Sequence, residues 1–388
     1  MILLKNKLAP SLLLIQLVSA CGNNNQITEP NIHYDTVKKV DTNFSHHYPA
    51  PTGDFRVGVK ELDIQSYHED IVSPNFGELR NLHIKIFYPS HTQSTKYQAY
   101  FNKWGDQQSY LESMRPANAP IHPEQHLLSD MLSWSVANAP VALNENVGWP
   151  ILYYSHGLGL FEIDNTELLE SLASHGFVVV AINHTYLSGV TTFDSGKTAH
   201  LYLPEGKQDV TMPAGRVYFD NTVALQIGQD VTTVHEWLLW NQWSLEDQVN
   251  LHNVGTLGFS LGGSAAMNGC QQLDNCKAAA NMDGIVLGHV AKSPLNKPLL
   301  LLSADQPFAQ LDKVFEANQA TTHMVTIAGS EHNDFTDQNR WIIGTATAIE
   351  ADKIHRVVKQ SMVRFFKANL ENQTFTLPKE EGIKVLSK

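Results

Sequence analysis

The chain has 388 residues, is 43% hydrophobic, and carries 27 Lys and Arg against 39 Asp and Glu, a net charge of −12. A chain this long can bury a core without disulfide or metal staples. The acidic balance, with no cluster of four or more basic residues, excludes the electrostatic footprint of a nucleic-acid-binding protein.

The N-terminus, "MILLKNKLAPSLLLIQLVSACGNNN", places Lys5 and Lys7 before an apolar run and then small residues, which reads as a secretory signal over residues 1–20. The run from Leu8 to Ala20 is too short to span a bilayer as a permanent helix. Its end, Val18-Ser19-Ala20-Cys21, resembles a bacterial lipobox. That resemblance implies cleavage before Cys21, lipidation of its thiol, and a mature charge of −14 after loss of two lysines. With Gly22 next, the similarity to Gram-negative lipoproteins implies outer-membrane sorting, facing the periplasm or the cell surface. Residues 21–53 are polar and Asn-rich and read as a tether with a reach of roughly 30 Å. Residues 54–388 read as a single domain.

Within that domain, seven short segments are almost continuously apolar: 82–89, 149–157, 176–184, 253–260, 276–284, 297–305 and 322–330. Such runs suit strands buried on both faces of a mostly parallel sheet. Helical patterns lie between them, at 165–176, 221–242, directly after Ser260, and at 350–370. Strand alternating with helix predicts an α/β, doubly wound architecture. Residues 91–148 and 186–220 break the alternation and read as insertions or cap segments. In the first of these, 123–136 has an apolar face of Leu127, Leu128, Met131, Leu132 and Trp134. It is expected to be helical, packed as a cap on the sheet or lying in a lipid interface.

In such sheets, sites form beyond the carboxyl ends of the strands. Ser260, His156, Asp283, Asp305 and His332 all fall at or just past predicted strand ends. Gly258-Phe259-Ser260-Leu261-Gly262 fits G-x-S-x-G between a strand and a helix, the setting of a nucleophile elbow. A serine hydroxyl needs a base near neutral pH, and His332, after the last of these strands, is placed to supply it. Asp283 in "NMDG" or Asp305 in "LSADQP" could orient that imidazole; the residues alone do not choose between them. Oxyanion donors are expected at the amides of Leu261 and of Leu158, the latter in the turn "HGLG", where His156 reads as a brace. Cys270 and Cys276, with five residues between them, can close a small loop in an exported protein. No further ligands stand near them at zinc spacing, so no metal is expected.

"YYSHGLG", "LASHGFVVVAINH", "GFSLGG", "MDG" and "MVTIAGSEHNDFTD" together resemble the secreted platelet-activating-factor acetylhydrolase family, the calcium-independent serine phospholipase A2 type, over about Phe55 to Leu370. The resemblance implies an α/β-hydrolase fold: a mostly parallel central sheet with helices on both faces and cap-like insertions. It favours Asp283 over Asp305 as the acid beside Ser260 and His332. It also implies oxyanion donors at Leu158 and Leu261, no metal or organic cofactor, and a lipid ester of short or oxidised acyl chain as substrate. Two departures stand out. Phe259 occupies a position where family members often carry His, and segments 91–148 and 186–220 match loosely. They keep open a broad carboxylesterase or polyester hydrolase, or a non-catalytic binding module on the same fold.

Overall fold

The computed structural model describes residues 47–101, 131–144, 147–306, 308, 310–341 and 348–388. The signal and lipobox segment with Cys21, most of the tether, and Leu127 and Leu128 lie outside the described residues. In chain order the elements are β1 (Arg56–Glu69), β2 (Leu79–Ser90), β3 (Tyr97–Ala99), β4 (Leu132–Ala137), β5 (Trp149–Ser155), α1 (Thr166–Ser174), β6 (Val178–Asn183), β7 (Val190–Thr192), β8 (Thr198–His200), α2 (Pro213–Tyr218) and α3 (Ala224–Trp240). They continue with β9 (Val249–Phe259), α4 (Leu261–Gln272), β10 (Cys276–Met282), β11 (Leu299–Ser303), α5 (Gln310–Ala317), β12 (Thr322–Ile327), α6 (Gln338–Trp341), α7 (Ala348–Glu371) and β13 (Ile383–Ser387).

Eleven of these strands form one sheet in the order β13-β12-β11-β10-β9-β5-β6-β2-β1-β4-β3. From β12 to β6 every neighbouring pair is parallel, while β2 and β13 flank that block antiparallel. Where both faces are covered, the parallel strands are mostly apolar. On one face, Leu168, Leu169 and Leu172 of α1 and Val357, Met362 and Phe366 of α7 pack on the sheet. On the other, Val231, Val234 and Leu238 of α3 and Met267 of α4 do the same. Each fully buried side chain of this size contributes about 1.5–3 kcal/mol.

The chain departs from the sequence expectation most clearly in four places. The predicted helix at 123–136 is a strand over Leu132–Ala137, paired parallel with Val57–Val59 of β1. The open edge of β1 offers backbone partners there, and Trp, Val and Ser favour an extended chain over a helix. Residues 47–53, assigned to the tether, are packed on the body: the Tyr48 hydroxyl donates to buried Glu170, the Trp134 indole donates to the Tyr48 carbonyl at 2.8 Å, and the Gly53 amide donates to Ser174 Oγ at 3.1 Å. The helix expected at 221–242 begins earlier, at Pro213, and passes through a π-turn at Phe219–Val223 before α3. Finally, β1 is a fourteen-residue strand that no apolar run announced.

Cys270, near the end of α4, and Cys276, at the start of β10, are joined by a disulfide. The Lys297 ammonium donates to the carbonyls of Cys270 and Leu273 at 2.7 Å each, at the end of α4 where the last carbonyls lack intrahelical donors.

Candidate active site

The parallel strands β5, β6, β9, β10, β11 and β12 point the same way, so the residues that follow them gather along one rim. Ser260 follows β9 with φ +55° and ψ −117°, a strained conformation for a residue with a Cβ. Only minimal neighbours permit it. A Cβ on Gly258 would lie 2.0 Å from the Gly262 carbonyl oxygen, and one on Gly262 would lie 1.9 Å from that of Ser155. The Ser260 amide is held by the Met282 carbonyl at 3.0 Å, and Leu261 opens α4 immediately after.

Asp283 follows β10, also at positive φ (+43°), with its amide bonded to Leu302 O at 2.7 Å. Its Oδ1 accepts from the Ala304 amide at 2.9 Å, and its Oδ2 lies 2.5 Å from His332 Nδ1. His332 begins a short 3₁₀ turn, His332–Phe335, beyond β12, and its Nε2 lies 3.0 Å from Ser260 Oγ. The structure thus brings Ser260, His332 and Asp283 into one hydrogen-bonded row. Asp305 stays exposed at the end of β11, with its amide on the Ser330 carbonyl. Phe259 lies against the imidazole, ring centres 4.7 Å apart and tilted by 33°, and Phe308 meets it edge-on at 5.5 Å. Ser260 and Asp283 are buried (7% and 2% exposed).

Ser260 and His332 face a cleft of about 510 Å3, counting its open mouth. Leu158, Leu160, Val210, Phe219, Ile285 and Leu287 make its walls apolar. Val210 and Phe219 come from the stretch 186–220, which the sequence offered only as an insertion; nothing in its polar composition marked them as cleft residues. The Leu158 and Leu261 amides find no acceptor among the described residues. For Leu261 the reason is general: the first N–H groups of a helix have no intrahelical partner, and the helix end carries partial positive charge. A hydroxyl on an imidazole, the imidazole on a carboxylate, and free amides beside them can together pass a proton and stabilise a developing oxyanion.

Among the described residues, two other groups have the residue types of a metal site. Glu167, Asp337 and His355 are buried, but Glu167 already receives Arg340 at 2.8 Å and Lys359 at 2.5 Å, and against the cost of burial His355 together with these two cations holds its carboxyl down at about 2. Asp63, His83 and Asp194 form the second. There His83 Nδ1 bonds Asp63 Oδ1 at 2.8 Å, and Asp63 Oδ2 accepts the Asp194 amide at 2.7 Å. Neither group shares a residue with the cleft.

The family model for platelet-activating factor acetylhydrolase, isoform II, matches residues 41–377. The chain belongs to this family. Among curated members, it is 22% identical over 227 residues to the platelet-activating factor acetylhydrolase of Canis lupus familiaris, covering 52% of this chain and 50% of that one. It is 24% identical over 237 residues to the Gallus gallus protein of the same name, covering 52% and 56%. A probable 1-alkyl-2-acetylglycerophosphocholine esterase of Arthroderma benhamiae is 25% identical over 200 residues, covering 51% and 43%. The chain spans about half the length of the curated relatives it matches. Among solved structures, the ferulic acid esterase from Streptomyces cinnamoneus superposes with a TM-score of 0.69 at 22% identity, covering 88% of this chain and 99% of that one. The fold is that of an α/β-hydrolase, as the family resemblance implies; the strand–helix alternation alone predicts only its α/β layering.

Proposed function

We propose that this family member is a serine carboxylic-ester hydrolase that removes short or oxidised acyl chains from phospholipids. The observation that carries the reading is the position of His332, 3.0 Å from the Ser260 hydroxyl and 2.5 Å from the Asp283 carboxylate. In this reading Ser260 Oγ attacks the ester carbonyl while His332 Nε2 takes its proton. Asp283 holds the Nδ1–H tautomer and stabilises the imidazolium. The Leu158 and Leu261 amides donate to the oxyanion, each of the order of 3–4 kcal/mol. His332 then protonates the leaving alcohol, and a water deprotonated by the same imidazole releases the acyl group. The apolar cleft walls suit an acyl chain. The names of the curated relatives support an acetylated glycerophosphocholine as the substrate class.

We also propose that Cys21 carries a lipid anchor, which would hold the enzyme at a membrane surface where such substrates reside. Hydrolysis of 2-acetyl phosphatidylcholine vesicles and of 4-nitrophenyl acetate, measured side by side, tests the function. The reading expects both activities, with both lost in Ser260→Ala. Turnover of the nitrophenyl ester alone would leave a general carboxylesterase, and turnover of neither would refute hydrolysis.

A further inference from the structure

The turn that carries the Leu158 amide is braced from behind by a buried polar cluster. His156 Nε2 accepts the main-chain N–H of His184 at 3.0 Å, so its proton sits on Nδ1, which donates to the Gly157 carbonyl at 2.6 Å. Gly157 C=O and Leu158 N–H belong to one peptide unit. A trans peptide is planar, and its C=O and N–H point in opposite directions. Fixing the carbonyl therefore fixes the direction of the Leu158 N–H. Two more bonds lace the same turn to the segment after β6: Gly159 N–H to Leu187 O at 2.8 Å, and Gly189 N–H to Leu160 O at 3.1 Å.

That segment is itself anchored. His184 Nδ1 lies 2.8 Å from Asp230 Oδ2. Arg80 grips both oxygens of Asp230, at 2.9 and 2.6 Å, and also donates to Asp70 at 2.7 Å and to the Thr185 carbonyl at 2.7 Å. All of these side chains are buried. Burial and the nearby His184 push the His156 pKa down to about 3, so its ring stays neutral in any ordinary assay buffer.

We infer that His156 is a positioning residue: in its Nδ1–H form, held by the His184 backbone, it locks the Gly157–Leu158 peptide so that the Leu158 N–H faces the oxyanion. Arg80 and Asp230 fix His184 in turn. The inference rests on the hydrolase reading above and deepens it. A misaimed oxyanion donor weakens the transition state and leaves ground-state binding nearly untouched.

Steady-state hydrolysis of 4-nitrophenyl acetate by the full chain tests this with His156→Ala, His156→Gln and His156→Asn. The asparagine amide can donate to Gly157 O in place of Nδ1; glutamine replaces only the distal acceptor. The expected result is a kcat reduced about 10- to 100-fold in Ala and Gln, with KM within about threefold. Asn should run at least about fivefold faster than Gln. Gln equal to or faster than Asn, or kcat within about threefold of wild type in Ala and Gln, would overturn the inference; a merely structural role predicts neither the kcat-only loss nor that ranking. Nitrogen NMR of the wild-type imidazole needs no variant to fold. It should find neutral Nδ1–H at pH 7, and an Nε2–H tautomer or an imidazolium would equally overturn the lock. A wild type that hydrolyses no ester would fail the hydrolase reading, while the tautomer still decides the brace.

Discussion

Asp283 and Asp305 look alike in sequence, each ending an apolar run, yet only Asp283 reaches His332. Asp283→Asn keeps the shape of the side chain but no longer stabilises the Nδ1–H imidazole. It should lower kcat by about 10³- to 10⁴-fold, whereas Asp305→Asn should stay within about threefold of wild type; equal losses in steady-state assays would contradict the assignment. At Gly262 the constraint is steric. An alanine methyl would sit 1.9 Å from the Ser155 carbonyl, which belongs to strand backbone and cannot step aside. Gly262→Ala should therefore cost several kcal/mol or prevent folding, read as a loss of melting temperature or of soluble protein. Phe259, a departure from the usual family residue, supplies an aromatic face to His332 and needs no polar partner there.

At the scale of elements, residues 47–53 are part of the fold because α1 presents Glu170 to them. Burial pushes the Glu170 carboxyl up to about 7, against hydrogen bonds from Tyr48 and the Trp134 amide. The folded protein thus binds more protons than the unfolded chain between the ordinary value of 4.5 and about 7, so this group's contribution to stability falls as pH rises through that window. Glu170→Gln removes the titration. The melting temperature of the variant relative to wild type should rise between pH 5 and pH 8, by the equivalent of up to about 3 kcal/mol. A difference independent of pH would contradict the argument. The disulfide ties α4, whose first turn holds Leu261, to β10, which ends at Met282, one residue before Asp283. Replacing both cysteines by serine should remove about 2 kcal/mol, or a few degrees of melting temperature, and leave kcat within about twofold.

Over the whole molecule, what the sequence revealed follows from burial. Strands covered on both faces, such as Leu299–Ser303 and Val178–Asn183, betray themselves as unbroken apolar runs. The residues at their carboxyl ends were accordingly placed well enough to nominate Ser260, His332 and a pair of candidate acids. β1 and β4 escaped because their polar residues are part of the pattern: Ser133 and Ser135 are buried yet bonded to each other at 2.7 Å, and hydropathy alone reads them as surface. Val210 and Phe219 escaped because a cleft wall in an insertion leaves no periodic trace. Among the described residues no helix is long and apolar enough to cross a membrane; the anchor proposed above is on Cys21. Cys21→Ala should shift the protein from the membrane fraction to the soluble fraction and end its metabolic labelling by palmitate; unchanged fractionation and labelling would refute the anchor. The central claim, that His332 and Asp283 activate the hydroxyl of Ser260, is tested most directly by mapping a fluorophosphonate adduct on the full chain. The account predicts one adduct per molecule, on Ser260, formed at least about a hundredfold more slowly in His332→Ala. An adduct on another residue, or none on folded wild-type protein, would contradict it.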